Sequence, residues 1–313
     1  MAIDSRVPNH VYYYTDLDTF KLILEHGTLR FKESTSSNDL LDTKRLYDRV
    51  LPVLEKQMLS NVSQGPECEF IKNYTQTGHM GSTRVSMVAC FTEISDSRML
   101  WDAYTMHRKG READRYNGVC LEIDTTELNK CIEKITICDY KMIMPIMYGD
   151  QNADQVVSLL MENFSKEVKE LQKDNDQSQE LIPPIRTQLF STVYEFNLKK
   201  CLVYPVINLL DGFDKLSPFC KHSFWNEEKE VRAVVSLKKA AIDVNGGVQH
   251  YSDDGQGYYY LDLPITTKCI SKVILGPEFT KTDMSTLKNR DYKIKIERIK
   301  KAKSNGTGVI INR

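Results

Sequence analysis

Apolar and polar positions first fall into a regular pattern at His10-Val11-Tyr12-Tyr13-Tyr14-Thr15. Tyr12 and Tyr14 point to one side of an extended chain, and Val11, Tyr13 and Thr15 to the other, so the run reads as a strand. The period then changes. Leu17, Phe20 and Leu24 recur at helical spacing, with Thr15 or Asp16 as cap and Gly27 as stop. Leu29-Arg30-Phe31 is extended, and a hydroxyl-rich loop, Ser34 to Asp39, caps a helix over Leu40 to Leu59. A short helix follows from Pro66 to about Tyr74, then an apolar strand, Arg84 to Phe91, buried on both faces. Arg98 to Tyr104 reads as a helix capped by Ser95 or Asp96, with Trp101 and Tyr104 three apart on one face. Strands are predicted at Gly118 to Ile123 and Ile135 to Met144, with a short helix from Thr125 between them. Ala153 to Lys173 is an amphipathic helix, and Ile185 to about Lys199 is read as a second one after Pro183-Pro184. Together they form a helical insertion near residues 150–200. Further strands are expected at Tyr258 to Leu263, Ile270 to Leu275 and Tyr292 to Ile299, with a short helix around Met284. Strands scattered between helices without regular alternation predict a single α+β domain over residues 1–313, built on a split, mixed sheet.

The densest polar pattern lies at Lys221-His222-Ser223-Phe224-Trp225-Asn226-Glu227-Glu228-Lys229-Glu230-Val231-Arg232, which runs into the β-branched stretch Val231 to Val235. On one continuous strand, Glu228, Glu230 and Arg232 would share a face, opposite Val231, Ala233 and Val235. Two carboxylates and a guanidinium so placed can hold a sugar or phosphate, or stabilise a developing positive charge. The same pattern also describes an edge strand with a solvated, salt-bridged face.

Composition narrows this picture. The chain has 313 residues, 41% apolar and 27% charged, with a net charge of −1. That is an ordinary globular balance, with no overall pull toward nucleic acid or acidic membranes. The absence of an eighteen-residue apolar run and the polar start predict a soluble, cytoplasmic protein without membrane attachment. Eight cysteines without C-x-x-C spacing and six histidines without ligand spacing predict reduced thiols and no zinc site. Residues 291–313 carry seven Lys/Arg against Asp291 and Glu297, read as a basic, solvated tail. No dinucleotide fingerprint, phosphate loop, zinc-helix motif or nucleophile elbow is present.

The order of several short motifs resembles the bacterial family catalogued as domain of unknown function 2971. They are the tyrosine-rich first strand, Asn38-Asp39, Cys90-Phe91-Thr92, Met99-Leu100-Trp101-Asp102-Ala103-Tyr104, Gly118-Val119-Cys120-Leu121, and Trp225-x-x-Glu228-x-Glu230-x-Arg232. The chain departs from the family pattern at Tyr13, where a histidine is usual, at Thr92, where a serine is usual, and by the extra Leu100. A looser resemblance is to ADP-ribosyltransferases, with an aromatic, His or Arg on the first strand and a catalytic Glu on a late one.

That second resemblance implies an ADP-ribosyltransferase-like fold and an NAD-dependent mono-ADP-ribosyltransferase or NAD glycohydrolase, of the kind found in toxins and antiviral defence. Glu230 would stabilise the oxocarbenium-like ribose, and Glu228 would orient or deprotonate the acceptor. Tyr13, Trp101 or Tyr104 would stack on nicotinamide, and Tyr13 or Tyr14 would be the first-strand residue of the NAD site. Asn38 or Asp39 would reach a ribose hydroxyl, and Thr92, Trp225 and Arg232 would complete the NAD site. The acceptor would be a protein, a nucleic acid or water. The alternative is a non-enzymatic ligand- or partner-binding module of a bacterial defence system.

Overall fold

The computed structural model describes residues 2–4, 6–36, 44–58, 84–105, 118–173, 185–189, 192–196, 203–238, 242, 248–253, 256–276, 300–301 and 309–310. Asn38, Asp39, the expected Pro66 helix, the Met284 helix, the Tyr292 strand and nearly all of the basic tail lie outside these residues.

A two-residue strand β1 (Ala2–Ile3) precedes β2 (His10–Thr15) and helix α1 (Leu17–His26). Asp16 caps α1 by accepting from Thr19 N at 2.7 Å, and Gly27 closes it in the left-handed conformation at φ 64°. Next come β3 (Thr28–Glu33), α2 (Arg45–Met58), β4 (Arg84–Thr92) and α3 (Arg98–Tyr104). The cap of α3 is Ser97; the Asp96 carboxylate instead accepts from the Trp101 indole at 2.9 Å. The chain continues through β5 (Val119–Asp124), α4 (Thr125–Glu133), β6 (Tyr140–Pro145), β7 (Met147–Tyr148) and the long α5 (Asp150–Lys173).

The expected second insertion helix is not formed. Ile185 to Phe196 folds as an antiparallel hairpin, β8 (Ile185–Leu189) and β9 (Thr192–Phe196). Ile185, Thr187, Thr192, Val193, Tyr194 and Phe196 are β-branched or aromatic, and here strand preference prevails over helical spacing. After α6 (Val203–Leu216) come β10 (Cys220–Lys221), a 3-10 turn (Ser223–Glu228), β11 (Glu230–Lys238), β12 (Gln249–Asp253), β13 (Gln256–Pro264), β14 (Ile270–Leu275), β15 (Lys300–Lys301) and β16 (Val309–Ile310).

Among the described residues twelve strands form one mixed, mostly antiparallel sheet that divides at β4. The main path runs β1-β6-β11-β4-β2-β5-β14-β16-β15. A second prong leaves β4 through β3, β13 and β12. At its C-terminal end β4 pairs with β2 (Tyr12 opposite Thr92); nearer its start it pairs with β3 (Lys32 opposite Val88). Between these two contacts β2 and β3 part company, and Cys90 lies at the fork. It is the one exposed residue in an otherwise buried strand.

One face of the sheet is apolar. Val11, Leu121, Phe91, Val231, Phe31 and Leu261 carry it, and it is covered by Phe20 and Leu24 of α1 and Leu128 and Ile132 of α4. The helices α2, α5 and α6 pack a cluster of their own around Tyr47, Val157 and Phe213. Phe219 leads from this layer onto Val88, Val234 and Met144 of the opposite sheet face. That opposite face also carries the polar residues considered below. No helix among the described residues is long and apolar enough to cross a membrane.

Gly118 enters β5 where its backbone passes Thr105 and the Thr15 carbonyl, and a Cβ there would overlap both. Gly118→Ala should therefore lower stability by about 1–3 kcal/mol, measured as a shift in the urea midpoint. An unchanged midpoint would show that α3 can yield.

Candidate functional site

The register places the site. Antiparallel pairing sets Glu230 opposite Thr92 and Arg232 opposite Cys90, and Tyr12 lies opposite both Thr92 and Glu122. Because neighbours in one register row share a face, Glu230, Arg232, Cys90, Thr92, Tyr12 and Glu122 all project from the face opposite the α1–α4 core.

Glu228 does not lie on β11. It ends the 3-10 turn, and Lys229 follows in the left-handed conformation (φ 45°, ψ 49°), the sole non-glycine with positive φ among the described residues. That kink breaks the expected alternation yet brings Glu228 and Glu230 to one cation. Lys221 Nζ donates to Glu228 Oε2 at 2.8 Å and to Glu230 Oε2 at 3.1 Å. Arg232 grips Glu230 with Nε (2.6 Å) and Nη2 (3.2 Å) and donates through Nη1 to the Pro218 carbonyl at 2.6 Å. Tyr104 Oη donates to Glu228 Oε1 at 3.1 Å, and Tyr148 Oη accepts from Glu230 N at 2.8 Å. Thr92 Oγ1 donates to the Glu228 carbonyl at 2.6 Å, which ties the turn to β4.

Lys221, Glu228, Glu230 and Arg232 are all buried, and their formal charges sum to zero. Alternating charges at hydrogen-bond distance are what allow four ionic groups to sit away from water. Burial alone would raise the Glu230 carboxyl. Arg232 and then Lys221 outweigh it and hold the group down at about 2, from the usual 4.5. Tyr104 has a half-exposed ring, but its hydroxyl end is desolvated and faces Glu228, and both effects push the phenol up. Cys90 is reachable from solvent, yet the surrounding protein and Glu230 push its thiol up, so it is held as a thiol. The other five described cysteines are buried free thiols; Cys68 and Cys201 lie outside the described residues. Among the described residues no three His, Cys, Asp or Glu side chains gather as a metal ion would require.

The expected site residues divide into three groups. Glu228, Glu230, Arg232, Thr92 and Tyr104 converge, and Trp225 joins them with Lys221 Nζ 5.1 Å from its ring centre. Tyr14 and Trp101 adjoin the site but are buried against each other edge to face, with centroids 4.8 Å apart; they anchor α3 and offer no open ring. Tyr13 is a correction. Strand parity turns it to the core face, where its ring meets Phe91 at 5.8 Å, so it cannot stack on a ligand at the fork. Lys221, Tyr148 and Cys90 were not foreseen. Lys221 opens the charged stretch and could have been suspected as a counter-ion to two close carboxylates; nothing local marks Tyr148 or Cys90.

Residues 100–233 match the family described as Protein of unknown function (DUF2971). The DUF2971 match begins in α3 and ends on β11, so it spans Trp101, Tyr104, Lys221, Trp225 and the Glu228–Arg232 cluster. No curated protein and no solved structure matches the chain.

Two predictions follow from this geometry. A carboxyl held below its unfolded value adds stability above that value and loses it as pH falls. The Glu230 contribution should therefore disappear between pH 4.5 and 2. Urea midpoints across that window should fall more steeply for wild type than for Lys221→Met/Glu230→Gln, which removes one charge of each sign; parallel curves would refute the assignment. At the kink, Lys229→Gly should be neutral or stabilising by up to about 1 kcal/mol, and Lys229→Val destabilising by at least as much. The reverse order in thermal melts would mean that the left-handed residue does not set the turn.

Proposed function

We propose that the fork binds NAD and that the protein is an NAD-consuming transferase, or a glycohydrolase where water is the acceptor. The observation that carries this reading is the convergence of Glu228, Glu230, Arg232 and Lys221 beside the half-exposed Tyr104 ring, at the point where β2 and β3 separate. In the proposed reaction the bond from ribose C1′ to the nicotinamide nitrogen breaks, and its electron pair leaves with nicotinamide. An acceptor nucleophile then bonds to C1′ and surrenders its proton toward Glu228. Glu230 faces the developing ribose cation, where a preorganised charge counts most. Tyr104 supplies the ring wall for nicotinamide.

Lys221 is the movable part of this scheme. Arg232 is fixed by a carbonyl as well as by Glu230, whereas Lys221 carries its charge on a flexible stem between the two carboxylates. A pyrophosphate entering the fork can draw the ammonium away from Glu230 Oε2 and leave that oxygen shared between the ribose and the longer Arg232 Nη2 bond of 3.2 Å.

The completeness of the ion cluster favours a second reading. If Lys221 stays in place, the carboxylates form a rigid floor, and the protein is a binding module without chemistry.

The obvious variant is not a clean test. Glu230→Gln leaves Lys221 and Arg232 facing Glu228 alone, and an uncompensated buried charge costs about 3–5 kcal/mol. Lys221→Met/Glu230→Gln keeps the cluster neutral and should melt nearer to wild type. Nicotinamide release from NAD should fall by about a hundredfold or more in both. A folded double variant that releases nicotinamide at the wild-type rate would end the transferase reading. A wild-type protein whose melting temperature rises with NAD, without nicotinamide release, would establish the binding module instead.

A further inference from the structure

The second prong of the sheet presents an open face beside the fork. Lys32 lies opposite Val88 on one side and Tyr260 on the other, and Arg30 lies opposite Asp262. Val88 belongs to the face that carries Arg232 and Cys90. Arg30, Lys32, Tyr260 and Asp262 therefore project on the same side as the charged cluster, while Leu29, Phe31, Leu261 and Leu263 point into the core. Tyr258 follows Tyr260 on that side, two residues along β13. Both tyrosines are half-exposed, and Arg30 is exposed.

These side chains form an ordered group of one guanidinium and two rings. The Arg30 guanidinium lies 4.0 Å from the Tyr260 ring centre, and Asp262 holds its edge through two bonds of 2.8 and 2.9 Å. The Tyr258 ring lies 6.4 Å from that of Tyr260 and is tilted 59° to it. The Tyr260 hydroxyl donates to Gln249 Oε1 on the neighbouring strand. Partly exposed rings at differing angles and an exposed guanidinium plane on a solvent-facing sheet offer separate faces to unpaired bases, which stack without regard to sequence.

We propose that this face of β3 and β13 is a stacking platform for single-stranded nucleic acid. Its role as the acceptor-strand site rests on the transferase reading above; the binding itself does not. Lys32 pairs with Val88, two residues along β4 from Cys90, which is about 7 Å of strand. A strand seated on the tyrosines thus leads directly to the fork. The chain's net charge of −1 supplies no long-range attraction, so affinity comes from stacking and depends only weakly on salt.

The test is fluorescence anisotropy with a labelled single-stranded oligonucleotide, without NAD, for wild type and variants. Tyr258→Ala/Tyr260→Ala should weaken binding by about tenfold or more. Tyr258→Phe/Tyr260→Phe keeps the rings and should bind like wild type, and Arg30→Lys keeps the charge but loses the plane and should bind less well. These two conservative variants preserve the test if the alanine pair fails to fold. The proposal is overturned if wild type does not bind, if a folded alanine pair binds equally, if Arg30→Lys binds as wild type does, or if heparin, which has charge but no bases, competes as strongly as the oligonucleotide. Nicotinamide release into water should be unchanged in the platform variants. Oligonucleotide binding with no NAD consumption would uphold the platform and remove only the transferase reading.

Discussion

Four buried charges that cancel one another hold the fork together. Glu228, Lys221, Glu230 and Arg232 form an alternating chain, and each link joins a different piece of backbone. Arg232 reaches the Pro218 carbonyl at the end of the helical layer, Lys221 belongs to the short strand β10, and Glu228 ends the turn. Remove one charge and the neighbour is left buried and without its counter-ion, so the four groups keep their geometry as a unit. Phe219 sits between Pro218 and β10 and packs on Val88, Val234 and Met144. The electrostatic chain and this apolar contact together fasten the α2–α5–α6 layer to the sheet.

Neutrality also limits the chemistry. A carboxylate gripped by two cations exerts less field on a ribose than a free one, and Glu230 is gripped on both oxygens. For Glu230 to act on a cationic sugar, a ligand must offer one of its cations another partner. Under the transferase reading the pyrophosphate of NAD would be such a partner for Lys221, whereas a neutral sugar would not. Under the transferase reading the cluster is thus a resting state, stable in the empty site and opened by the substrate that it is meant to process.

Much of the scaffold was legible in the sequence because its signals are local. The alternation at His10 to Thr15, the Asp16 cap, the Gly27 stop and the apolar run of β4 each depend on near neighbours. What was not legible depends on distant residues or on rare backbone states. The spacing of Glu228, Glu230 and Arg232 suggested one strand face, but a left-handed Lys229 carries Glu228 into a turn, and lysine gives no sign of that conformation. Three successive tyrosines at Tyr12, Tyr13 and Tyr14 leave open which side faces a ligand, and only the pairing with Glu122, Leu121 and Cys120 decides it. Ile185 to Phe196 satisfies helical and extended patterns alike; the hairpin is settled by cross-strand pairing.

Register parity then links features that the sequence keeps far apart. Pairing runs without a break from β11 through β4 and β3 to β13, with Val234 opposite Val88, Val88 opposite Lys32 and Lys32 opposite Tyr260. A slip of one residue at the step from β4 to β3 would turn Leu261 and Phe31 out to water and bring Tyr260 and Arg30 into the core. The apolar face forbids that slip, because Phe31, Leu261 and Leu263 are buried with Phe20 and Leu24. The same hydrophobic constraint that builds the core therefore compels the charged cluster, the exposed Cys90 and the tyrosines Tyr258 and Tyr260 to share one side of the sheet. The charged cluster and the tyrosine face lie next to each other on this fold as a consequence of how its interior is packed.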